Sequence, residues 1–416
     1  MKKRKLSPSS PPGNLSRISA LTAAVRAFAF KFFITGTGST QTSNGAKSQS
    51  QACHNSIWTE AIPLAKQAMK DRSYQSILTL YIIGLASLSI NTPDKPQGFE
   101  AECFDSASRH IKVLRELERT DQDEDRRHQS EIAYWCVALT ENACQLNQLQ
   151  RLGETSLFSE KSQVWGVVRE RTSLFHQSFK SLHGMREPMS KEVISAILQH
   201  ATLHKCMTWW NMNNIKSYTE GDLDELLQTA ARDMLTFRDV FTPLLDLVGR
   251  DFLMLNPKDQ LSYVLVTVHF YWAVLLFIEE IDKRSPDPPV RHMISKSEAS
   301  RSIVNTLSQA QLVYETSAYQ PSVLLIDPMP ETMVSCIVSA ASALLELFGN
   351  GTFSLGACRT MLSVLVASLK VLCQISPNAK YALEKLNVET MQKSIFKSEL
   401  ASSSDMCKNG TQKLIS

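Results

Sequence analysis

The stretch YVLVTVHFYWAVLLFI, from Tyr263 to Ile278, constrains this chain more than any other. Wound as a helix, it carries Leu261, Val264, Leu265, Val268, Trp272 and Leu275 on one side and Val266, Phe270, Val274 and Phe277 on the other. A helix that is apolar all round has no face to offer water, so it belongs inside a helical body or inside a membrane. The run is shorter than the roughly 20 residues a membrane span needs. It also carries His269. The spacing therefore predicts a buried central helix over 259–281, with no membrane as partner.

A central helix needs other helices around it, and the flanking sequence supplies their periodicity. Trp165, Val168, Thr172, Phe175, Phe179 and Leu182 advance by three and four, the signature of one helix face. Pro188 and Ser190 make a helix start ahead of VISAILQHATLHKCM, and Leu223, Leu226, Leu227, Ala230 and Met234 repeat the apolar pattern. Phe175, Phe179, Leu182, Ile194, Ile197 and Trp209 read as packing residues. Prolines in RSPDPPV and LLIDPMPE mark breaks, and no stretch alternates as a strand would. The expected class is all-α. Three zones are expected: a disordered basic tail and linker over 1–52, a helical body over 53–396, and a polar end over 397–416.

Charge separates the first zone from the rest. The chain has a formal charge of +3, yet eight Lys or Arg precede the first acid, Glu60, leaving 36 basic against 41 acidic side chains from there on. The basicity belongs to the tail, and a slightly acidic body is not built to lie along a nucleic acid backbone. Within the tail, Lys2, Lys3, Arg4 and Lys5 form a compact cluster of the kind that nuclear import receptors recognise. Two other readings stand beside it: a solvated basic terminus without a role, and a mitochondrial presequence, since residues 1–59 lack acids and RISALTAAVRAFAFKFF is basic and amphipathic. The first apolar run begins only near Ile18, too late for an ordinary signal peptide. The nine cysteines are irregularly spaced, several within apolar runs, so no disulfide framework is implied and a reducing compartment is expected.

No catalytic pattern in the sequence is complete. His200 and His204 stand at i, i+4 with Cys206 beyond, but Ala201 occupies the place where a zinc protease has its glutamate. The acidic run from Asp121 has Arg126 where a calcium loop needs Gly and Ile132 where it needs Glu. ITGTGSTQ has Gln41 in place of the third glycine of a dinucleotide-binding fingerprint, and there is neither a Gly-x4-Gly-Lys-Ser/Thr sequence nor a Gly-x-Ser-x-Gly elbow. The expectation is a non-enzyme without a cofactor.

Several blocks in order carry a resemblance. SYQSILTLYIIGLASLS at 73–89, ASRHIKVLRELE at 107–118, AYWCVALTENACQL at 133–146, RERTSLFHQSF at 169–179, VISAILQHATLHK at 193–205, KDQLSYVLVTVHFYWAVLLFIEEID at 258–282 and LLIDPMPETM at 324–333 succeed one another along the chain. Together they resemble the helical regulatory region of fungal zinc-cluster (Zn2Cys6 type) transcription factors, over about Trp58 to Ala382. The resemblance implies a nuclear transcriptional regulator whose partners are the transcription machinery or other regulators, with a dimer partner among them. It departs from the family at the DNA reader. Two zinc ions sharing six thiolates need cysteines in Cys-x2-Cys-x6-Cys pairs, and no Cys-x2-Cys is present. Residues 6–51 contain no sustained heptads either. Zinc is therefore expected only with a Zn2Cys6 module beyond this sequence, and DNA only non-specifically, through such a module, or through a partner. Two alternatives stay open: a helical interaction scaffold outside the nucleus, and an enzyme with a pocket in the helical core. Against the packing role of the core aromatics stands a ligand pocket between helices, walled by Trp209, His269, Tyr271 and Trp272.

Overall fold

The computed structural model describes residues 12–36, 44–88, 98–118, 124–146, 163–179, 189–218, 223–284, 295–316 and 322–392. Among them are thirteen α-helices and no strand, so the protein is all-α as expected. The chain divides into two compact units, Met1–Ser162 and Gln163–Ser416.

The first unit holds α1 (Pro12–Gly36), α2 (Asn44–Ala68), α3 (Tyr74–Leu88), α4 (Phe99–Glu118) and α5 (Glu124–Leu146). Helix α3 is its hub, packing on all four others. Its Ile77, Leu80, Ile83 and Ala86 are completely enclosed. Much of the remaining core is small: Ala24 and Ala27 of α1, Ala61 and Ala65 of α2, Ala107 of α4 and Ala133 of α5. Small residues let helix backbones approach closely, and Gly84 marks the tightest place. A Cβ there would lie 2.6 Å from the ring of Phe104. Arg17 ties α1 to the loop before α3, through bonds of 2.7 and 2.9 Å from Nε and Nη2 to the two carboxylate oxygens of Asp71. Ser73 and Ser76 donate to the same carboxylate. Burial pushes the Asp71 carboxyl up, but these hydrogen bonds outweigh it and leave the group below its ordinary range.

The second unit holds α6 (Gln163–Phe179), α7 (Lys191–Lys216), α8 (Leu223–Arg250), α9 (Pro257–Arg284), α10 (Lys296–Thr316), α11 (Pro330–Gly349), α12 (Leu355–Leu372) and α13 (Pro377–Gln392). Ser190 caps α7 by accepting from the Val193 amide at 3.4 Å, where the sequence placed a helix start. Helix α9 is the centre, packed most extensively on α7 and α10 and also on α8 and α11. Its buried residues run from Gln260 to Ile281 and face every direction. By length and hydropathy α9, α11 and α12 would each suffice to cross a membrane, but 83% of the apolar window of α9 is enclosed within the protein. The Glu331 carboxylate near the start of α11 holds the start of α13, accepting from Ser376 and Asn378 at 2.7 Å each.

Two boundaries differ from the sequence expectation. The disordered tail expected over 1–52 contains helix α1, which packs on α2 and α3 through Ala20, Ala23, Ala24 and Ala27. Its burying residues follow helical spacing but are alanines, so a reading weighted by bulky side chains passes over them. The single body expected over 53–396 is two units, because α3 and α9 each gather their own set of helices. Residues 1–11 and the end expected over 397–416 lie outside the described residues.

Candidate functional site

The four residues expected to wall a pocket separate into two places. Lys205 and Trp209, one turn apart on α7, face α9 together. The Trp209 indole Nε1 donates at 3.0 Å to the backbone oxygen of His269. Its ring stands perpendicular to Trp272, with centroids 6.0 Å apart, and 5.0 Å from the His269 imidazole. Trp272 in turn donates from Nε1 to Ser339 Oγ of α11 at 3.2 Å. These bonds explain why large aromatics with polar tips are tolerated at the centre: each N–H has an acceptor.

Beneath them lies an unusual pair of bases. The Lys205 ammonium sits 4.5 Å from the centroid of the Trp209 ring, in cation–π contact, with the residue only 5% exposed. Burial lowers its pKa, partly countered by Cys206, Cys336 and Asp327. Neither ring nitrogen of His269 has a hydrogen-bond partner. Burial, and then the Lys205 charge, hold its pKa well below the ordinary histidine value, so the imidazole is neutral near pH 7. Trp209, His269 and Trp272 thus form a closed aromatic knot. They join α7 to α9 and α11.

Tyr271 points elsewhere. With Phe270 and Val274 of α9 it lines a shallow crevice, with room inside for about one water molecule, whose other walls include Met234 and Arg238 of α8 and Glu298 at the start of α10. Its hydroxyl is 3.5 Å from Thr242 Oγ1. Burial raises the Tyr271 pKa, so the phenol keeps its proton and remains a donor. The crevice opens where α9 packs less closely on α8 than on α7 or α10.

A third constellation was not foreseen. Arg169 of α6 grips Asp233 of α8 with two bonds, Nε to Oδ1 at 2.9 Å and Nη2 to Oδ2 at 2.7 Å. Asn211 of α7 donates to Asp233 Oδ2 at 2.8 Å. His204 lies 2.8 Å through Nε2 from the Asp233 backbone oxygen and 3.1 Å through Nδ1 from Thr172 Oγ1. A carbonyl only accepts, so Nε2 carries the proton, while the single Thr172 hydroxyl proton is shared between Nδ1 and the Val168 backbone oxygen 2.8 Å away. Burial lowers the His204 pKa, consistent with this neutral tautomer. His200 lies flat against Phe175, centroids 4.5 Å apart. Among the described residues no group of three His, Cys, Asp or Glu side chains is arranged to hold a metal ion. The one sequence hint of this network was Thr172, polar within an apolar stripe. Arg169 and Asp233 are 64 positions apart, beyond any spacing rule.

Lys2, Lys3, Arg4 and Lys5 lie outside the described residues. Compared with protein-family models, curated proteins and solved structures, the chain matched none.

Proposed function

We propose that this chain is the helical regulatory domain of a transcriptional regulator of the fungal zinc-cluster type, working in the nucleus through protein partners and reading no DNA sequence itself. The support is the order of the seven sequence blocks. Each coincides with a helical element: 73–89 with α3, 107–118 with the second half of α4, 133–146 with α5, 169–179 with α6, 193–205 with α7, 258–282 with α9, and 324–333 with a short 3-10 turn and the start of α11. The candidate site adds a consistent chemical point. Its buried ionisable groups are tied into packing and pairing, as suits a body that presents surfaces rather than one that turns over a substrate.

Sequence-specific reading requires side chains held against base edges, and phosphate contacts alone carry no sequence information. The basic tail is the only dense cationic cluster, so the purified chain should associate with duplex weakly and salt-sensitively, on the order of 10⁻⁴ to 10⁻⁶ M at physiological salt. Competition against random duplex tests this. Tight binding of one sequence that survives moderate salt, without a partner or an added zinc module, would overturn it. For localisation, a fluorescent fusion should enter the nucleus and shift to the cytosol when Lys2, Lys3, Arg4 and Lys5 are all changed to Gln. Unchanged nuclear accumulation contradicts the role given to that cluster, and a mitochondrial pattern in the unmutated fusion favours the presequence instead.

A further inference from the structure

We propose that Asn350 is a site of spontaneous covalent modification, where the side chain cyclises onto the Gly351 amide, releases ammonia and is hydrolysed to aspartate or isoaspartate. The claim stands on the turn that ends α11 and does not depend on the regulatory reading.

The sequence supplies the reactants, and the fold decides their access. Asn-Gly occurs at 44–45, 350–351 and 409–410. A glycine after asparagine leaves its amide nitrogen unshielded, because no side chain stands beside it. At 350 the pair is also required by the turn. Asn350 caps α11 with φ −91° and ψ 6°, and Gly351 follows at φ +78°, the left-handed conformation that glycine adopts without steric cost. Residues 349–352 are all exposed, and a Cβ built on Gly351 would meet nothing within 4 Å, so water reaches the site.

Two hydrogen bonds prime the carbonyl. The Thr352 backbone N–H donates to Asn350 Oδ1 at 3.2 Å, and the Thr352 hydroxyl donates to it at 2.7 Å. Both draw electron density from Cγ and meet the negative charge that Oδ1 takes up when a nucleophile adds, as donors in an oxyanion hole do. The nucleophile is the Gly351 nitrogen, after its proton passes to hydroxide. The N–Cγ bond forms, the Cγ–Nδ2 bond breaks, and Nδ2 leaves as ammonia, taking a proton from water. Water then opens the succinimide ring. Cleavage at N–Cγ gives aspartate, and cleavage at the original peptide bond gives isoaspartate.

The same turn sets the pace. Gly351 N–H donates to Phe348 O at 3.1 Å, and Thr352 N–H also reaches Leu347 O at 2.9 Å, so the ring closes only once this last turn opens and ψ leaves 6°. Helix ends are among the places that open most readily. The product no longer fits the turn it came from. A carboxylate at 350 sits at the negative end of the α11 dipole and four residues from Glu346, a like charge. Isoaspartate adds a carbon to the main chain as well. Phe353, buried just beyond the turn, and Ser354, which caps α12, then lose their fixed lead-in.

The test is peptide mass spectrometry on the full chain aged in mildly alkaline buffer, with isoaspartate read by enzymatic carboxyl methylation. Conversion at Asn350 should run about ten- to a hundredfold slower than in the same chain unfolded in guanidinium chloride, each decade standing for about 1.4 kcal/mol of local opening. Thr352→Val should slow it further, and Asn350→Gln, whose ring would be one atom larger, should abolish it. Aged protein and fresh Asn350→Asp should both melt below the fresh chain, while Asn350→Gln should melt alike fresh and aged. No conversion at 350 across that hundredfold span would overturn the proposal. So would a rate that Thr352→Val leaves unchanged or raises, or a converted chain that melts as the fresh one does.

Discussion

The two units solve the same problem with different materials. Each is built around a helix that is apolar on all sides, α3 in one and α9 in the other. Around α3 the partners bring alanines, and close backbone approach does the packing. Around α9 they bring Trp209, Phe237, Phe241 and the ring pairs made with Phe270 and Trp272, and bulk does it. Alanine seams tolerate no added volume. Aromatic cores tolerate no added charge. The polar groups follow suit: the carboxylate tied down near α3, Asp71, sits part-buried at the loop, whereas Asp233 is 3% exposed among three polar partners, Arg169, Asn211 and His204.

The sharpest way to break the second unit is a charge at its centre. Val268 is completely enclosed on α9, so in Val268→Lys the ammonium is desolvated without a partner. A loss above about 4 kcal/mol is expected, most of the margin of a domain at the low end of the usual range of about 5–15 kcal/mol. Circular dichroism melting should show the second unit's transition gone. A soluble variant with native melting would mean that α9 is not central, and extraction only by detergent would place it in a membrane.

Next in size is the buried ion pair. Arg169→Met leaves the Asp233 carboxylate enclosed, with Asn211 its remaining side-chain donor. Breaking a buried pair costs about 3–5 kcal/mol. The low end is expected here, because Arg169 is 38% exposed and water can replace part of what it gave. Chemical denaturation measures this, and the double variant Arg169→Met, Asp233→Leu should recover part of the loss.

In the first unit the corresponding probe is volume. Ala24 is fully enclosed on α1, and Ala24→Leu should cost about 1–3 kcal/mol by overpacking. The same change at exposed Val25, Val25→Leu, should cost almost nothing. If Ala24→Leu is equally silent, α1 does not pack as described, and the sequence expectation of a tail through residue 52 is restored.

The smallest expected effect is on pH dependence. In the folded chain the His269 pKa lies well below 6.5, while the unfolded chain titrates near 6.5. As pH falls through 6.5 the unfolded state takes up a proton that the folded state refuses, so stability is full above that value and is lost below it. The loss is at most about 1.4 kcal/mol per pH unit. His204 is lowered in the same sense, so His269→Phe should flatten the acid limb of the second unit in part. An acid limb unchanged in that variant contradicts a neutral, enclosed imidazole.

The same contrast decides what was legible in the sequence. Helix α9 and the face of α6 could be read because bulky apolar residues recur at three and four, and Ser190 announced the start of α7. Helix α1 could not, since its seam is written in alanines that also suit a linker. The division near 162 was hidden because both units share one helical period. Trp209, His269 and Trp272 come together, as a closed knot rather than the walls of a pocket, whereas Tyr271 follows His269 by two positions, about 200° around a helix, and so faces another neighbour. The Arg169–Asp233 network depends on contacts between helices far apart in sequence, and no spacing rule reaches them.

The central claim, that this helical body acts on transcription through partners, is tested most directly by tethering. The full chain fused to an unrelated DNA-binding module, with that module's sites upstream of a reporter in fungal nuclei, should change reporter output in either direction relative to the module alone. Val268→Lys should abolish the change while Lys2, Lys3, Arg4 and Lys5 all changed to Gln, with nuclear entry supplied by the module, should leave it intact. Reporter output indistinguishable from the module alone, with the fusion shown to be folded and nuclear, would contradict the account.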